Sequence, residues 1–475
     1  MKYKKVLVIG IDGADPDYIQ KGIEQGKMPT FSRLAKQGSL GKLKSTMPPL
    51  SMPAWPVIYT GKNPGKLGIY GFTELIPGSY EIDLANWKVK DSIWQILSKK
   101  RKKVAIINNY FTYPPDKVNG IMISAADNIK ENCYYPKKLE QEIKEKVGSF
   151  DFDLIPEYYA IPEEKLTKLT KKTLKNALKL IEYTIKEYKW DLYFTTFNID
   201  RIHHLYYDEE SILKWYEEID SLVSKVIKHV DKNTLILLFS DHGGGKLKKT
   251  FYINEFLKKH GFLQLSEKQY KNNFQKIMVG LGFSAENILN FIQKTKLDKL
   301  LLKIVPNSFW SFGKNRIPRK DFQFSKAKIN WLKTKAFAPY SSTGGIYINL
   351  AGKHPYGIVK KQDYEKVREK IIKKFKKLNF KVDIYKKEEI YVGEFLEKAP
   401  DLTVLLDDYK YFPKNSFSGK LFTEPMTPGN HRPFGFIACS KKINLKDANV
   451  CDIVPTILNA FKLKVPKEVD GKSLL

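Results

Sequence analysis

A short apolar run near the start of the chain, V-L-V-I-G-I at residues 6–11, ends abruptly in Asp12 and Gly13. Such a run is the pattern of a strand buried on both faces of a parallel sheet. A carboxylate at the carboxyl end of that strand points into the crevice where open α/β sheets place their ligands. Downstream stands S-T-M-P-P-L-S-M-P-A-W-P-V-I-Y-T-G-K-N-P-G, with Ser51 just before Met52 and Pro53 and an apolar run to Thr60 and Gly61. Pro is favoured in the first turn of a helix and Gly just after its end. Ser51 is therefore expected at a helix N-terminus, where free N–H groups and the dipole favour an oxyanion. An acid at a strand end and a hydroxyl at a helix start can together make a metal-assisted nucleophile.

The rest of the chain repeats the alternation. Residues 29–38, 92–100, 165–189 and 211–230 read as helices, and 104–108, 191–197 and 234–239 as strands. The fold class expected is α/β, a doubly wound, mostly parallel central sheet flanked by helices. After Gly245 the texture changes. From about residue 250 to 335 buried-strand runs are absent, and the sequence reads as helical, basic and aromatic-rich, with Lys opposite the apolar face at 285–306. This span is expected to be a helical cap inserted over the crevice, dividing the core into residues 1–249 and 336–475. Strand character returns at 344–350, 402–406 and 434–438, with helices at 364–377 and 452–461.

The 475 residues are enough for a sizeable core. The formal net charge of +30 suits nucleic acid, anionic lipid surfaces or phosphorylated substrates, or else a solvated lysine-rich surface. The basic residues are scattered and match no zinc finger, RNA-recognition or basic-zipper pattern, so no specific nucleic-acid partner is expected. Three cysteines without a C-x-x-C argue against a disulfide framework and for a reducing, cytoplasmic setting. The N-terminal apolar stretch is too short for a signal peptide, and no run is long enough for a transmembrane helix. The basic cap fits either a helix packed on the core or a peripheral contact with the cytoplasmic face of a membrane.

Three further segments place oxygen and imidazole groups directly after an apolar run. D-R-I-H-H carries Asp200 and His204 four apart, one helical face. S-D-H-G-G-G carries Asp241 and His242 at the exit of a buried strand, and G-N-H-R carries His431 in a turn before a strand. Each is weak alone. Together, Asp and His without thiolate suit two divalent metals.

The set V-I-G-I-D-G, S-M-P-A-W-P-V-I-Y-T-G-K-N-P-G, D-R-I-H-H, S-D-H-G and G-N-H-R resembles the alkaline phosphatase superfamily. Within it the likeness is to the type I phosphodiesterase/nucleotide pyrophosphatase branch and its prokaryotic phosphohydrolase/phosphomutase relatives. The resemblance implies Ser51 as nucleophile. It implies one metal on Asp12, Asp241, His242 and the Ser51 oxygen, and another on Asp200, His204 and His431. The family usually carries zinc, with manganese or iron as alternatives. Two departures stand out: Ala54 replaces an Asn that often holds a phosphate oxygen, and Leu67 replaces a His. Lys62, Lys66, Arg201 and Arg432 are the candidate substitutes for that Asn. Trp55 stands where a sulfatase needs Arg, so sulfate esters are not expected.

The function implied is a two-metal phosphohydrolase cleaving phosphodiester, pyrophosphate or phosphomonoester bonds through a phosphoserine. The alternatives are a phosphomutase using the same phosphoserine, and a basic membrane- or nucleic-acid-binding protein with a vestigial site. The basic cap points to a large phosphorylated substrate, lipid- or glycan-linked.

Overall fold

The computed structural model describes residues 3–125, 132–148, 163–206, 208–266, 329–340 and 343–475. Its centre is an eight-stranded sheet. In spatial order the strands are Ser39–Lys44, Phe434–Cys439, Leu235–Phe239, Val6–Asp12, Leu192–Asn198, Val104–Asn109, Gly120–Ser124 and Tyr134–Tyr135. The five from Leu235–Phe239 to Gly120–Ser124 pair in parallel. Phe434–Cys439 runs antiparallel to both of its neighbours, and Tyr134–Tyr135 is antiparallel at the far edge.

Both faces of the sheet are covered, which is why its strands read as unbroken apolar runs. Side chains alternate along Val6–Asp12: Leu7, Ile9 and Ile11 enter one core, while Val6 and Val8 enter the other. All five are fully buried, and each such side chain contributes about 1.5–3 kcal/mol on leaving water. Helices Glu163–Glu187 and Glu209–Ile227 cover the first face. Helices Ser51–Thr60, Ile93–Lys99 and Ile453–Ala460 cover the second. Among the described residues no helix is long and apolar enough to cross a membrane.

A second, smaller body is built on strands Ala336–Phe337, Gly345–Ile348, Leu402–Leu406 and Val382–Lys386, with its own apolar core. The structure places a strand, Lys249–Tyr252, at the edge of the stretch read as helical. It pairs in parallel with Tyr411–Lys414 and antiparallel with Phe422–Thr423. Four residues carry too little periodicity to announce a strand, and both partners lie far along the chain. Helix Ile253–Lys259 follows and packs in the same core. Most of the expected cap, residues 267–328, lies outside the described residues, and the amphipathic stretch 285–306 with it.

Candidate active site

The acid of the first strand and the hydroxyl of the following helix meet as the sequence suggests. Ser51 is the first residue of helix Ser51–Thr60, preceded by Leu50 as N-cap. Its Oγ lies 3.4 Å from Asp12 Oδ1 and 3.0 Å from His242 Nε2. Asp12 stands at the carboxyl end of the central strand, and Asp241 and His242 follow the adjacent strand Leu235–Phe239. Asp200 opens the helical turn Asp200–Leu205 after strand Leu192–Asn198, with His204 on the same face, its Nε2 3.2 Å from Asp200 Oδ2. Gly13 makes room for that turn. With φ at 76°, it would put a Cβ 2.5 Å from Asp200 Cα, so no other residue fits without displacing the carboxylate.

His431 lies on a strand rather than in a turn. Gly429–Arg432 pairs antiparallel with Gly243–Lys246, directly after His242. This two-stranded ladder stacks the His242 and His431 rings at 3.9 Å between centroids. Its strands, G-G-G-K and G-N-H-R, carry no apolar pattern, so only the pairing defines them.

Three imidazoles share one device. His242 Nδ1 is 2.9 Å from the Gly243 carbonyl, His204 Nδ1 3.0 Å from the Gly429 carbonyl, and His431 Nδ1 2.9 Å from the Pro49 carbonyl. A carbonyl only accepts, so each Nδ1 carries the proton and donates. Each Nε2 is thereby turned towards the carboxylates, the orientation that metal-ligating histidines take from such outer hydrogen bonds.

The acids are crowded. Burial, and then the charges of Asp241 and Asp200, push the Asp12 carboxyl well above its usual range. Burial drives Asp241 up to about 8, against a hydrogen bond from the Gly13 amide. Burial also opposes the charge of Asp200, yet His204 and His431 hold its carboxyl well below the ordinary value. Burial pushes His242 down to about 3, and the neighbouring His431 adds to it. Asp241 Oδ2 and Asp200 Oδ1 are buried without a hydrogen-bond partner. Buried carboxylate oxygens beside imidazole nitrogens are the oxygen and nitrogen donor set that divalent cations take.

Two ligand groups fit within 4.8 Å: Asp200, His204 and His431, and Asp12, Asp200 and His242. Asp200 thus stands between the two groups. Asp241 flanks the second, its Oδ2 3.3 Å from His242 Nε2. The residues fit two divalent ions.

The four candidate cations lie differently. Lys62 pairs with Asp91 at 3.4 Å, and Lys66 with Asp470 at 2.5 Å. Arg432 donates to the carbonyls of Tyr409, His431 and Lys246. Arg201, on the turn that carries Asp200 and His204, makes no hydrogen bond or ion pair with the other described residues.

Beyond its use against a sulfatase reading, sequence reasoning gave Trp55 no role. Its indole N–H donates to Asp12 Oδ2 at 3.0 Å, and the ring fills the space above Gly10. The signal was available, since Trp55 follows Ser51 by one helical turn and so shares its face. It also passed over His203, whose Nε2 meets the Tyr216 hydroxyl at 3.0 Å behind the site.

A mostly parallel sheet covered on both faces, with this Ser, Asp and His constellation at its carboxyl edge, is an alkaline phosphatase-like α/β fold carrying candidate metal-binding residues. The chain belongs to the type I phosphodiesterase / nucleotide pyrophosphatase family, which it matches over residues 6–433. Among solved structures it is similar to phosphonoacetate hydrolase from Sinorhizobium meliloti 1021, with TM-score 0.57 and 15% identity, over 95% of this chain and 94% of the other. A local likeness of 44% identity over 52 residues links it to the 2,3-bisphosphoglycerate-independent phosphoglycerate mutase of Metamycoplasma hominis, covering 11% of this chain and 10% of that protein. The corresponding mutase of Ehrlichia canis is 45% identical over 53 residues, 11% of each chain. The matched segments thus span about a tenth of those curated relatives.

Proposed function

We propose that the protein is a two-metal phosphohydrolase acting on phosphodiesters, pyrophosphates or phosphomonoesters, with Ser51 as nucleophile. The observation that carries this reading is the convergence of three inward-facing Nε2 atoms with the buried carboxylates of Asp12 and Asp241 and the partly buried one of Asp200, next to the Ser51 hydroxyl that Asp12 and His242 contact. In this reading Asp12, Asp241 and His242 hold one ion with the Ser51 oxygen, and Asp200, His204 and His431 hold the other, with zinc as the ion in both. When bound, the two ions lower the pKa of the serine hydroxyl and neutralise charge on the phosphoryl and leaving oxygens. Ser51 Oγ then forms a bond to phosphorus as the bond to the leaving oxygen breaks in line. Water next attacks the phosphoserine, releasing phosphate or its monoester and restoring the hydroxyl. The helix N-terminus behind Ser51 favours the anionic phosphoryl group. Arg201, the one candidate cation left without a described partner, is assigned to the substrate's remaining charge.

The test is turnover of bis- and mono-nitrophenyl phosphate by zinc-loaded protein, by its Ser51→Ala variant and by protein stripped with EDTA. Turnover is expected only in the first, and EDTA activity should return with zinc. Undiminished hydrolysis by Ser51→Ala would overturn the assignment. The ratio of diester to monoester turnover places the physiological bond.

The local likeness to phosphoglycerate mutases supports a second reading, in which the phosphoryl group returns to the substrate before water arrives. Phosphorus NMR separates the two. Interconversion of 3- and 2-phosphoglycerate without free phosphate marks a mutase; phosphate release marks a hydrolase. The basic sequence of residues 285–306 supports a lipid- or glycan-linked phosphoester as the natural substrate. Its deletion should then lower turnover of a polyprenyl phosphoester and spare that of nitrophenyl esters.

A further inference from the structure

Beside the ladder of Gly243–Lys246 and Gly429–Arg432 lies a separate cavity of about 690 Å³. Five lysines and an arginine converge on it: Lys42, Lys246, Lys248, Lys381, Lys410 and Arg432. They come from both bodies of the molecule, so the fold gathers like charges that the sequence scatters. Neither Ser51 nor any candidate metal ligand lines it.

The acids around the cavity are already engaged. Asp17 pairs with Lys42 at 2.9 Å, Asp407 with Lys248 at 2.7 Å and Asp408 with Lys381 at 2.8 Å. Asp15 caps the helix Pro16–Glu24 by accepting from the Asp17 amide. Lys246 and Lys410 have no carboxylate within ion-pair distance among the described residues. One wall is held in a costly shape. Asp407, Asp408 and Tyr409 take φ of 49°, 52° and 66°, three successive non-glycine residues in the left-handed region. The left-handed conformation is unfavourable for each of these residues, and such strain persists only where the surroundings over-determine it. Here buried Tyr409 anchors the turn, and its carbonyl accepts from Arg432 at 3.0 Å. The lining also has an apolar side: Phe434 is 43% exposed beside Pro433.

We propose that this cavity is a second, non-catalytic site for a small organic polyphosphate, its phosphates on Lys246, Lys410 and the neighbouring cations and its apolar ring against Phe434. A concave site of this volume suits a nucleotide-sized molecule. Nucleic acid needs an extended basic track, and a membrane a broad flat face. Of the two strands that wall the cavity, one carries His431 and the other follows directly on His242, so the ligand binds next to, but outside, the candidate centre.

The experiment titrates ATP and inorganic tripolyphosphate into full-length, zinc-loaded protein carrying Ser51→Ala, which cannot turn them over in the reading above. Adding Lys246→Glu with Lys410→Glu is expected to weaken binding of both by about tenfold or more and to flatten its salt dependence. Phe434→Ala should weaken ATP and leave tripolyphosphate unchanged. With Ser51 intact, the double lysine change should leave nitrophenyl ester turnover as it was. In the unaltered protein, tripolyphosphate should shield Lys246 and Lys410 from acetylation, read by mass spectrometry; this covers a variant that fails to fold. Equal affinity with and without the lysine pair, or unshielded lysines at saturating ligand, would overturn the proposal and leave all anion binding to the metal centre. Loss of turnover in the Ser51 protein bears on the hydrolase reading and leaves this site unaffected.

Discussion

Single side chains set the electrostatics of the centre. Trp55 is the clearest, because its one N–H holds one oxygen of Asp12 while the other faces Ser51. Trp55→Phe keeps an aromatic ring but frees that oxygen and opens space above Gly10. Zinc affinity is expected to fall by about tenfold, and stability by about 2 kcal/mol. Competition against a zinc chelator and urea unfolding read the two effects. Unchanged zinc affinity would make Trp55 a packing residue only. Away from the centre, His354 is a pH-sensitive point of the smaller body. Burial, then nearby Lys353, pushes its imidazole down to about 4, and the ring stacks on Tyr80 at 5.6 Å between centroids. Its folded value lies below the unfolded one of about 6.5, so the unfolded chain takes the proton first. Its contribution is therefore present above pH about 6.5 and is lost as pH falls towards about 4. Allowing for partial exposure, the loss is about 1–2 kcal/mol. His354→Gln should remove that part of the slope in urea midpoints measured between these pH values.

At the scale of elements, the helix that presents Ser51 is fastened at its other end. It stops at Gly61, in the left-handed conformation, whose amide reaches the Val57 carbonyl. The Gly61 carbonyl in turn accepts from the Asp470 amide at 2.8 Å. The Asp470 carboxylate accepts from the Asn63 amide at 2.7 Å and pairs with Lys66. The C-terminal segment thus straps the turn after the nucleophile helix. Asp470→Ala is expected to cost about 1 kcal/mol, a modest figure because the pair is partly exposed. A urea midpoint indistinguishable from wild type would mean that the main-chain bond alone holds the strap. The same geometry explains the occupation of Lys66. Lys66, close to the nucleophile in sequence and one candidate phosphate contact, pairs with Asp470, an acid far along the chain.

The whole molecule carries a net charge of +30, and that self-repulsion opposes the compact state. Raising NaCl from about 0.05 to 0.5 M should therefore raise Tm by roughly 3–5 °C. A melting temperature that falls with salt would show that ion pairs such as those of Lys42, Lys248 and Lys381 outweigh the repulsion. At this scale the division between sequence and structure is plain. The buried strands were legible because parallel strands covered on both faces are continuous apolar runs, and the long amphipathic helices because their apolar spacing is local. Asp12, Asp200, His204, Asp241 and His242 stood out because each follows an apolar run, and Ser51 and His431 because each stands just before one, in a Pro- or Gly-containing turn. What the sequence could not carry depends on partners distant along the chain. The four-residue strands Gly243–Lys246, Lys249–Tyr252 and Gly429–Arg432 exist through their pairing alone. The carbonyls of Pro49, Gly243 and Gly429 that turn the imidazoles inward are main-chain atoms with no sequence signature. The convergence of scattered lysines on one cavity likewise has none. Local pattern determined the elements and the chemistry of the ligands, since periodicity and residue type are properties of neighbours. Tertiary structure decided their orientation, protonation and charge balance, because burial and long-range contact set those and no local pattern encodes them.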